Sequence, residues 1–115
     1  MERLLDLTVQ NKLGHLSSTF TTLPILEHIF ERKKENDRVV LSNGHAGLAL
    51  YTMLEKEYGH DAQKMYDDFG IHPYRDIERH SYASTGSLGS GILLAVGMAM
   101  GNKDTTVHCV ISDGE

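Results

Sequence analysis

The sequence has no tryptophan, two prolines and a single cysteine among its 115 residues. A single cysteine cannot form a disulfide within the chain. This composition is typical of proteins from a reducing compartment, so we expect a cytoplasmic protein. Cys109 lies in an apolar run with no helix start beside it. We therefore interpret it as a buried structural thiol and not as a nucleophile.

Long apolar segments and an excess of basic residues are also missing. No stretch approaches the ~20 apolar residues of a transmembrane helix, and no secretory signal opens the chain, so we expect no membrane partner. The formal net charge is -5, and the only basic run, residues 32–34, has glutamates on both sides. This distribution argues against a nucleic-acid partner. Hydrophobic residues make up 40% and charged residues 23%, as in an ordinary globular protein.

Apolar periodicity predicts helices that alternate with two strands. The predicted helices cover residues 1–12, about 21–30, 46–58, 62–68 and about 88–101. In the second helix Thr21 or Thr22 is the expected cap and Pro24 falls in the first turn, and Asp61 is expected to cap the fourth.

Two short β-branched runs, residues 38–42 and 106–111, predict strands. The second run is continuously apolar, as in a central parallel strand. Together with the helices, these strands predict an α/β fold with a parallel sheet and helices on both faces. Residues 69–82 show little periodicity and are expected to form an ordered loop over a site.

A glycine-rich turn at residues 84–89 precedes the last helix. Ser84, Thr85 and Ser87 are candidates for its N-cap, and Gly86 and Gly89 let a ligand approach the backbone closely. The N–H groups at a helix start favour an anion such as a diphosphate. A tightly packed helix surface would select glycines as well, so this pattern alone leaves both interpretations open.

Asp113 follows the second strand as a carboxylate at its carboxyl end, where a hard divalent cation could bind. Residues 42–45 follow the first strand in the same way. In open parallel sheets, ligands bind beyond the carboxyl ends of the strands. The sequence therefore predicts a ligand site at these two strand ends.

Five motifs occur in the order and at the distances found in the N-terminal, diphosphate-binding domain of transketolase, which the chain resembles over essentially its whole length. The motifs are Gly14-His15, residues 41–46, His72-Pro73, residues 85–100 and Asp113-Gly114. The resemblance implies an enzyme that transfers a two-carbon ketol unit from a ketose phosphate to an aldose. Its implied cofactors are thiamine diphosphate and Mg²⁺ (or Ca²⁺), and its substrate partner is a sugar phosphate.

The resemblance also implies roles for individual residues. His15 and His72 match histidines that reach the hydroxyls of the donor sugar, and they are the predicted catalytic residues. Asp113 matches the ligand of the divalent cation. The predicted cofactor-binding residues are His45, Gly86, Ser87, Leu88, Asp113 and Gly114.

The chain departs from the family pattern at several points. Leu16, Ser17 and Ser18 stand where the family usually has proline or glycine-rich residues. The second metal-ligating asparagine is missing, as is the second domain with the glutamate that activates the cofactor. We therefore expect residues 1–115 to be an N-terminal portion, incomplete at its C-terminus and inactive in isolation. It would work in a homodimer or with a complementary subunit that carries the pyrimidine-binding domain.

Two alternatives stay open. Gly91, Ala95 and Ala99 recur every four residues and could form the flat face of a non-catalytic module that only binds a partner. A related thiamine-diphosphate enzyme, such as a deoxyxylulose-phosphate synthase, would share the general layout. His80 matches no histidine of the family and has no assigned role. Three other histidines are interpreted as structural: His28, His60 and His108.

Overall fold

Helices and strands alternate along the chain in the computed structural model, which describes residues 1–14 and 16–115. The helices in those residues are α1 (Glu2–Gln10), α2 (Ser17–Arg32), α3 (Gly47–Tyr58), α4 (Ala62–Phe69) and α5 (Ser90–Gly101). The strands are β1 (Arg38–Leu41) and β2 (Val107–Val110). None of these helices is both long and apolar enough to span a bilayer.

The two strands form a parallel pair in which Arg38 lies opposite Val107 and Leu41 lies opposite Val110. Successive side chains of a strand point to opposite faces of the sheet. Val39 and Leu41 accordingly belong to one apolar core, and Val40 belongs to a second core with Ala95 of α5. The predicted α/β fold, with helices on both faces of a parallel sheet, is confirmed.

The larger core lies between the sheet and helices α1 to α4. Its fully buried side chains include Leu4, Leu7, Leu26, Tyr51 and Leu54. The Tyr51 hydroxyl donates a hydrogen bond to the carbonyl of Gly70 at 3.0 Å. This bond attaches the segment after α4 to the core, so the loop that follows begins from a fixed point.

Helix α4 begins as its sequence predicts. The Asp61 carboxylate accepts a hydrogen bond from the N–H of Lys64 at 3.1 Å, which makes Asp61 the N-cap. The preceding helix, α3, ends at Gly59 in the left-handed conformation. Both ends follow from local sequence, because a short acidic side chain and a glycine satisfy the chemistry of helix termini.

Helix α2 differs from the prediction, since it begins at Ser17 and places Pro24 inside the helix, beyond the first turn. A proline there removes one backbone hydrogen bond and costs about 3 kcal/mol in an isolated helix. Thr19, Leu23 and Leu26 are all buried on the inner face of α2. Packing along the whole inner face outweighs the cost of the proline. This is a tertiary effect, which the sequence pattern does not report.

The predicted second strand is less buried than a central strand. Only Val110 of β2 is buried, and Cys109 is half-buried in the smaller core. Burial raises the pKa of the Cys109 thiol, and the nearby Glu115 carboxylate raises it further. The thiol therefore stays protonated near neutral pH, in agreement with a structural role.

Close contact between α5 and the end of β1 gives a test of this packing. A Cβ atom added to Gly91 would lie 2.5 Å from the Cα of Ser42. We expect Gly91→Ala to lower the free energy of unfolding by about 1–3 kcal/mol, because backbone atoms cannot rotate away from the added methyl group. Urea denaturation measures the change.

The matched control is Gly97→Ala in the same helix, where no described atom lies within 4 Å of the added Cβ. There alanine is expected to stabilise the protein by up to about 1 kcal/mol through its helix propensity. Equal effects of the two substitutions would contradict the assigned packing of α5 on β1.

Candidate functional site

The carboxyl ends of β1 and β2 meet the start of α5. The N–H of Ser42, directly after β1, donates to the carbonyl of Val110 at 2.8 Å. The hydroxyl of Thr85 donates to the carbonyl of Leu41 at 2.7 Å, in a buried position. The glycine-rich turn before α5 is therefore attached to the end of β1.

Two glycines in this region have no room for a side chain. A Cβ atom on Gly44 would lie 2.6 Å from the backbone nitrogen of Gly86. Gly86 itself has φ 137°, and a Cβ there would lie 2.8 Å from Cγ of the His72 ring. The turn after β1, the turn before α5 and the His72 ring therefore lie next to one another.

His45 and His72 line one cavity of about 240 Å³. His45 is half-buried and follows β1 in a short 3-10 turn, Gly44–Ala46. His72 is exposed and comes from the loop after α4. The other lining residues are mostly apolar: Leu13, Gly14, Leu16, Thr19, Leu48, Tyr66 and Ile71. The third predicted histidine, His15, lies outside the described residues.

Asp113 and Gly114 follow β2 and approach the start of α5. A Cβ atom on Gly114 would lie 4.0 Å from Cδ1 of Leu88, whose side chain is 60% exposed. Asp113 is exposed and lines a hollow of about 290 Å³ with Asn43, Ser17 and Thr22. Within the described part of the chain, no group of three or more His, Cys, Asp or Glu side chains is close enough to hold a metal ion. The assignment of Asp113 as a cation ligand stays a prediction.

Asn43 also lines the hollow beside Asp113. Its side-chain nitrogen donates to the Thr22 hydroxyl at 3.1 Å. Its Oδ1 is buried and has no hydrogen-bond partner among the residues that the structure describes. An unpaired buried acceptor is costly in a folded protein.

The predicted N-caps of α5 are wrong, because the residue at its N-cap is Gly89, which has φ 83° and no side chain. Ser84 instead accepts a hydrogen bond from the N–H of Arg75 at 2.9 Å. The Ser87 carbonyl accepts hydrogen bonds from the N–H and hydroxyl of Ser90 at 3.1 and 2.7 Å. The helix begins later than predicted, and the hydroxyls of Ser84 and Thr85 form other hydrogen bonds.

The carboxylate of Glu115 binds the backbone N–H of Gly89, the N-cap residue of α5. Its Oε1 accepts the N–H of Gly89 at 3.2 Å and the hydroxyl of Ser42. Its Oε2 accepts the N–H of Ser112 at 2.7 Å and the Ser112 hydroxyl at 3.2 Å. Sequence reasoning missed this residue. The only signal for it was an acidic side chain directly after an Asp-Gly turn, with a serine after each strand.

Glu115 keeps its negative charge near neutral pH. Partial burial raises the pKa of its carboxyl, but hydrogen bonds from Ser42, Ser112 and Gly89 outweigh burial and lower it overall. The start of α5 therefore already holds one anionic oxygen group, as expected from the dipole and the unpaired N–H groups of a helix N-terminus.

Three other histidines lie away from this site in polar or aromatic contacts. The His80 ring stacks on Tyr58 with centroids 3.7 Å apart, and its Nδ1 lies 2.9 Å from Nε2 of His60. Burial, His60 and Lys33 lower the pKa of His80. His108 lies 3.2 Å from Asp37. The geometry gives these side chains structural contacts, including His80, which the sequence left without a role.

The small-residue face of α5 is largely used inside the chain. Gly91 contacts Ser42, and Ala95 is buried in the smaller core, whereas Ala99 is exposed. The interpretation of this face as a partner surface is therefore wrong for Gly91 and Ala95. The exposed face of α5 consists instead of larger apolar side chains, with Leu93 75% and Met100 72% exposed.

Comparison with known proteins identifies the family. Residues 4–110 match the model of the transketolase thiamine diphosphate binding domain. The chain is 30% identical to one of the subunits of the apulose-4-phosphate transketolase of Phocaeicola vulgatus, over 99% of this chain and 47% of that protein. It is 31% identical to the 6-deoxy-6-sulfo-D-fructose transketolase subunit SqwG of Clostridium sp., over 90% of this chain and 45% of that protein.

Full-length transketolases are similar as well. The human transketolase is 36% identical over 89% of this chain, which corresponds to 20% of the human protein. The chain thus spans less than half the length of these relatives. No solved structure matches the chain.

The buried hydrogen bond between Thr85 and Leu41 gives a test of the site's geometry. Thr85→Val keeps the shape of the side chain but leaves the Leu41 carbonyl without this donor. We expect a loss of about 1–3 kcal/mol in the free energy of unfolding, together with a shift of the His72 ring signals in NMR spectra, because Gly86 carries the contact to that ring.

The control is Thr21→Val, which removes a bond of the same length, 2.7 Å, from an exposed helix position to the carbonyl of Ser17. Water replaces that donor, so a change within about 0.5 kcal/mol is expected. Comparable losses in the two variants, or unchanged His72 signals in Thr85→Val, would contradict the role of Thr85.

Proposed function

Because the chain belongs to the family of transketolase thiamine-diphosphate-binding domains, we propose that it forms the N-terminal, cofactor-binding portion of a transketolase. The proposed reaction is transfer of a two-carbon ketol unit from a ketose phosphate to an aldose. The observation that carries this proposal is the meeting of both strand ends with an α5 start that already accepts an anionic carboxylate. A diphosphate needs the same kind of site.

The turn before α5 would hold the diphosphate. No hydrogen bond to the N–H groups of Gly86, Ser87 or Leu88 is found among the described residues. These three groups precede the Gly89 N–H that Glu115 occupies. Gly86 also lacks the Cβ that would press against His72. The turn therefore offers both donors and close backbone access to a phosphate group.

Asp113 would supply one oxygen ligand to Mg²⁺ (or Ca²⁺), and Gly114 would bring the backbone close to the diphosphate. The cation offsets the repulsion between the diphosphate and the carboxylates of Asp113 and Glu115. A hard cation requires several oxygen ligands. With one acidic ligand from this part of the chain, the remaining ligands would come from the diphosphate, water and further protein groups.

His72 would act on the sugar, and His45 would bind the cofactor near its diphosphate. When bound, thiamine diphosphate supplies the carbanion that makes and breaks the carbon–carbon bond. Histidine side chains can bind sugar hydroxyls and move protons near neutral pH. The cavity that both side chains line supports a shared site for cofactor and sugar. His15 is proposed as a further catalytic histidine by family resemblance.

We further propose that a complementary subunit completes the protein. Two of the relatives are named as transketolase subunits, and the chain covers less than half of each. The complementary subunit would carry the pyrimidine-binding domain and its activating glutamate. The exposed Leu93 and Met100 of α5 form an apolar surface that this subunit would cover.

Cofactor binding is tested by calorimetric titration of the assembled protein with thiamine diphosphate and Mg²⁺. Asp113→Asn keeps the size of the side chain but removes the charge that binds the cation. We expect the dissociation constant to rise at least about tenfold, equivalent to ~1.4 kcal/mol. Chelation by EDTA should weaken binding to the wild-type protein and have little further effect on the variant.

Asp104→Asn is the matched control, because Asp104 is an exposed aspartate that lies before β2 instead of after it. The affinity of the Asp104→Asn variant for thiamine diphosphate should equal that of the wild-type protein. If Asp113→Asn bound thiamine diphosphate as the wild type does, the proposed cation site would be wrong. If the wild-type protein did not bind thiamine diphosphate, the proposed function would be wrong as a whole.

The isolated 115 residues are expected to show no ketol transfer. The activating glutamate and some of the cation ligands would come from protein outside these residues. A coupled assay with a ketose phosphate and an aldose measures this. Turnover should appear only when both the missing part of the cation shell and the pyrimidine-binding domain are supplied. Turnover by the isolated chain would contradict the division of the site between subunits.

A further inference from the structure

We propose that Glu115 is a positioning residue, which uses one carboxylate to hold the ends of β1 and β2 and the start of α5 in the arrangement that binds the diphosphate. This inference rests on the proposed function, since it concerns the geometry of that cofactor site. Glu115 itself would not contact the substrate.

The hydrogen bonds of Glu115 come from three segments that are far apart in sequence. Ser42 follows β1, Gly89 is the N-cap of α5 and Ser112 follows β2. Each oxygen of the carboxylate accepts two hydrogen bonds, so both its orientation and its distance from the three segments are constrained. No other acidic side chain forms a hydrogen bond with these three residues in the described part of the chain.

The charge of the carboxylate strengthens these bonds. Hydrogen bonds to an ionised group are shorter and stronger than neutral ones, and an anion is favoured at the N-terminus of a helix. Without Glu115, the N–H of Gly89 would have to turn toward water or toward the diphosphate. The turn that contains Gly86, Ser87 and Leu88 would then lose its fixed end next to α5.

The position of Glu115 also explains how an anionic residue and an anionic cofactor can share one helix start. The carboxylate takes the Gly89 N–H, and the N–H groups of the three preceding residues have no partner in the described structure. Glu115 therefore binds the Gly89 N–H and leaves the N–H groups of residues 86–88 for the phosphate oxygens. Its role is to orient those donors and not to compete for them.

The experiment compares Glu115→Ala and Glu115→Gln with the wild-type protein, assembled with its complementary subunit. Dissociation constants are measured by calorimetry for thiamine diphosphate and for thiamine, which has no phosphate groups, both with Mg²⁺. We expect Glu115→Ala to raise the dissociation constant of thiamine diphosphate at least about tenfold and that of thiamine less than about twofold. Glu115→Gln should fall between Glu115→Ala and the wild type, because its amide keeps one acceptor oxygen.

The selectivity between the two ligands separates positioning from general damage. A misfolded or loosened domain would weaken the binding of both ligands alike, and such a result would overturn the proposal. Tighter binding of thiamine diphosphate by Glu115→Ala would also overturn it, since Glu115 would then be a competitor for the phosphate. The control Glu57→Gln changes an exposed glutamate of α3 and should leave both constants unchanged.

A second measurement does not depend on the cofactor. Hydrogen exchange of the Gly89 and Ser112 amides should become at least about tenfold faster in Glu115→Ala, while the Lys64 amide, capped by Asp61, should exchange at the wild-type rate. Unchanged exchange at Gly89 and Ser112 would show that Glu115 does not hold these segments. If the wild-type protein fails to bind thiamine diphosphate, the proposed function fails, and this exchange measurement alone decides whether Glu115 holds the three segments.

Discussion

Gly91 of α5 lies against the backbone of Ser42, and the Thr85 hydroxyl reaches the carbonyl of Leu41 close by. These two contacts hold the helix against the end of the strand, and a side chain at position 91 would prevent this approach. They also bring Gly86 against Gly44 and the His72 ring. The geometry of the candidate site therefore depends on a close backbone approach, which requires residues without side chains at a few positions along the chain.

Around this contact, polar groups from different segments of the chain form hydrogen bonds with one another. The carboxylate of Glu115 joins Ser42, Gly89 and Ser112, while Asn43 bonds to Thr22 of α2. Groups at strand ends cannot continue the sheet's hydrogen bonds, so side chains and neighbouring turns take their place. The N–H donors at residues 86–88 have no partners within the described residues, and these groups are suited to a ligand.

Much of the fold could be predicted because local chemistry and periodicity agree there. The strand of residues 38–41, the helix that Asp61 caps and the helix after residue 46 all follow from apolar spacing and helix-end residues. The start of α2 could not be predicted, since burial of Thr19 and Leu23 outweighs the cost of a proline inside the helix. The N-cap of α5 was predicted wrongly, because Gly89 takes this position and its N–H bonds to a residue 26 positions away in the sequence.

The class of fold and the family resemblance could be read from the sequence. Periodicity reports burial along one element, and motifs report residues that are close in sequence, so both are visible without a structure. Three features emerge only in the folded chain: Gly91 and Ala95 pack inward on the sheet, His45 and His72 line one cavity, and Glu115 binds the N–H of Gly89 at the start of α5. These are contacts between residues distant in the chain, and their energies depend on which groups the whole fold brings together.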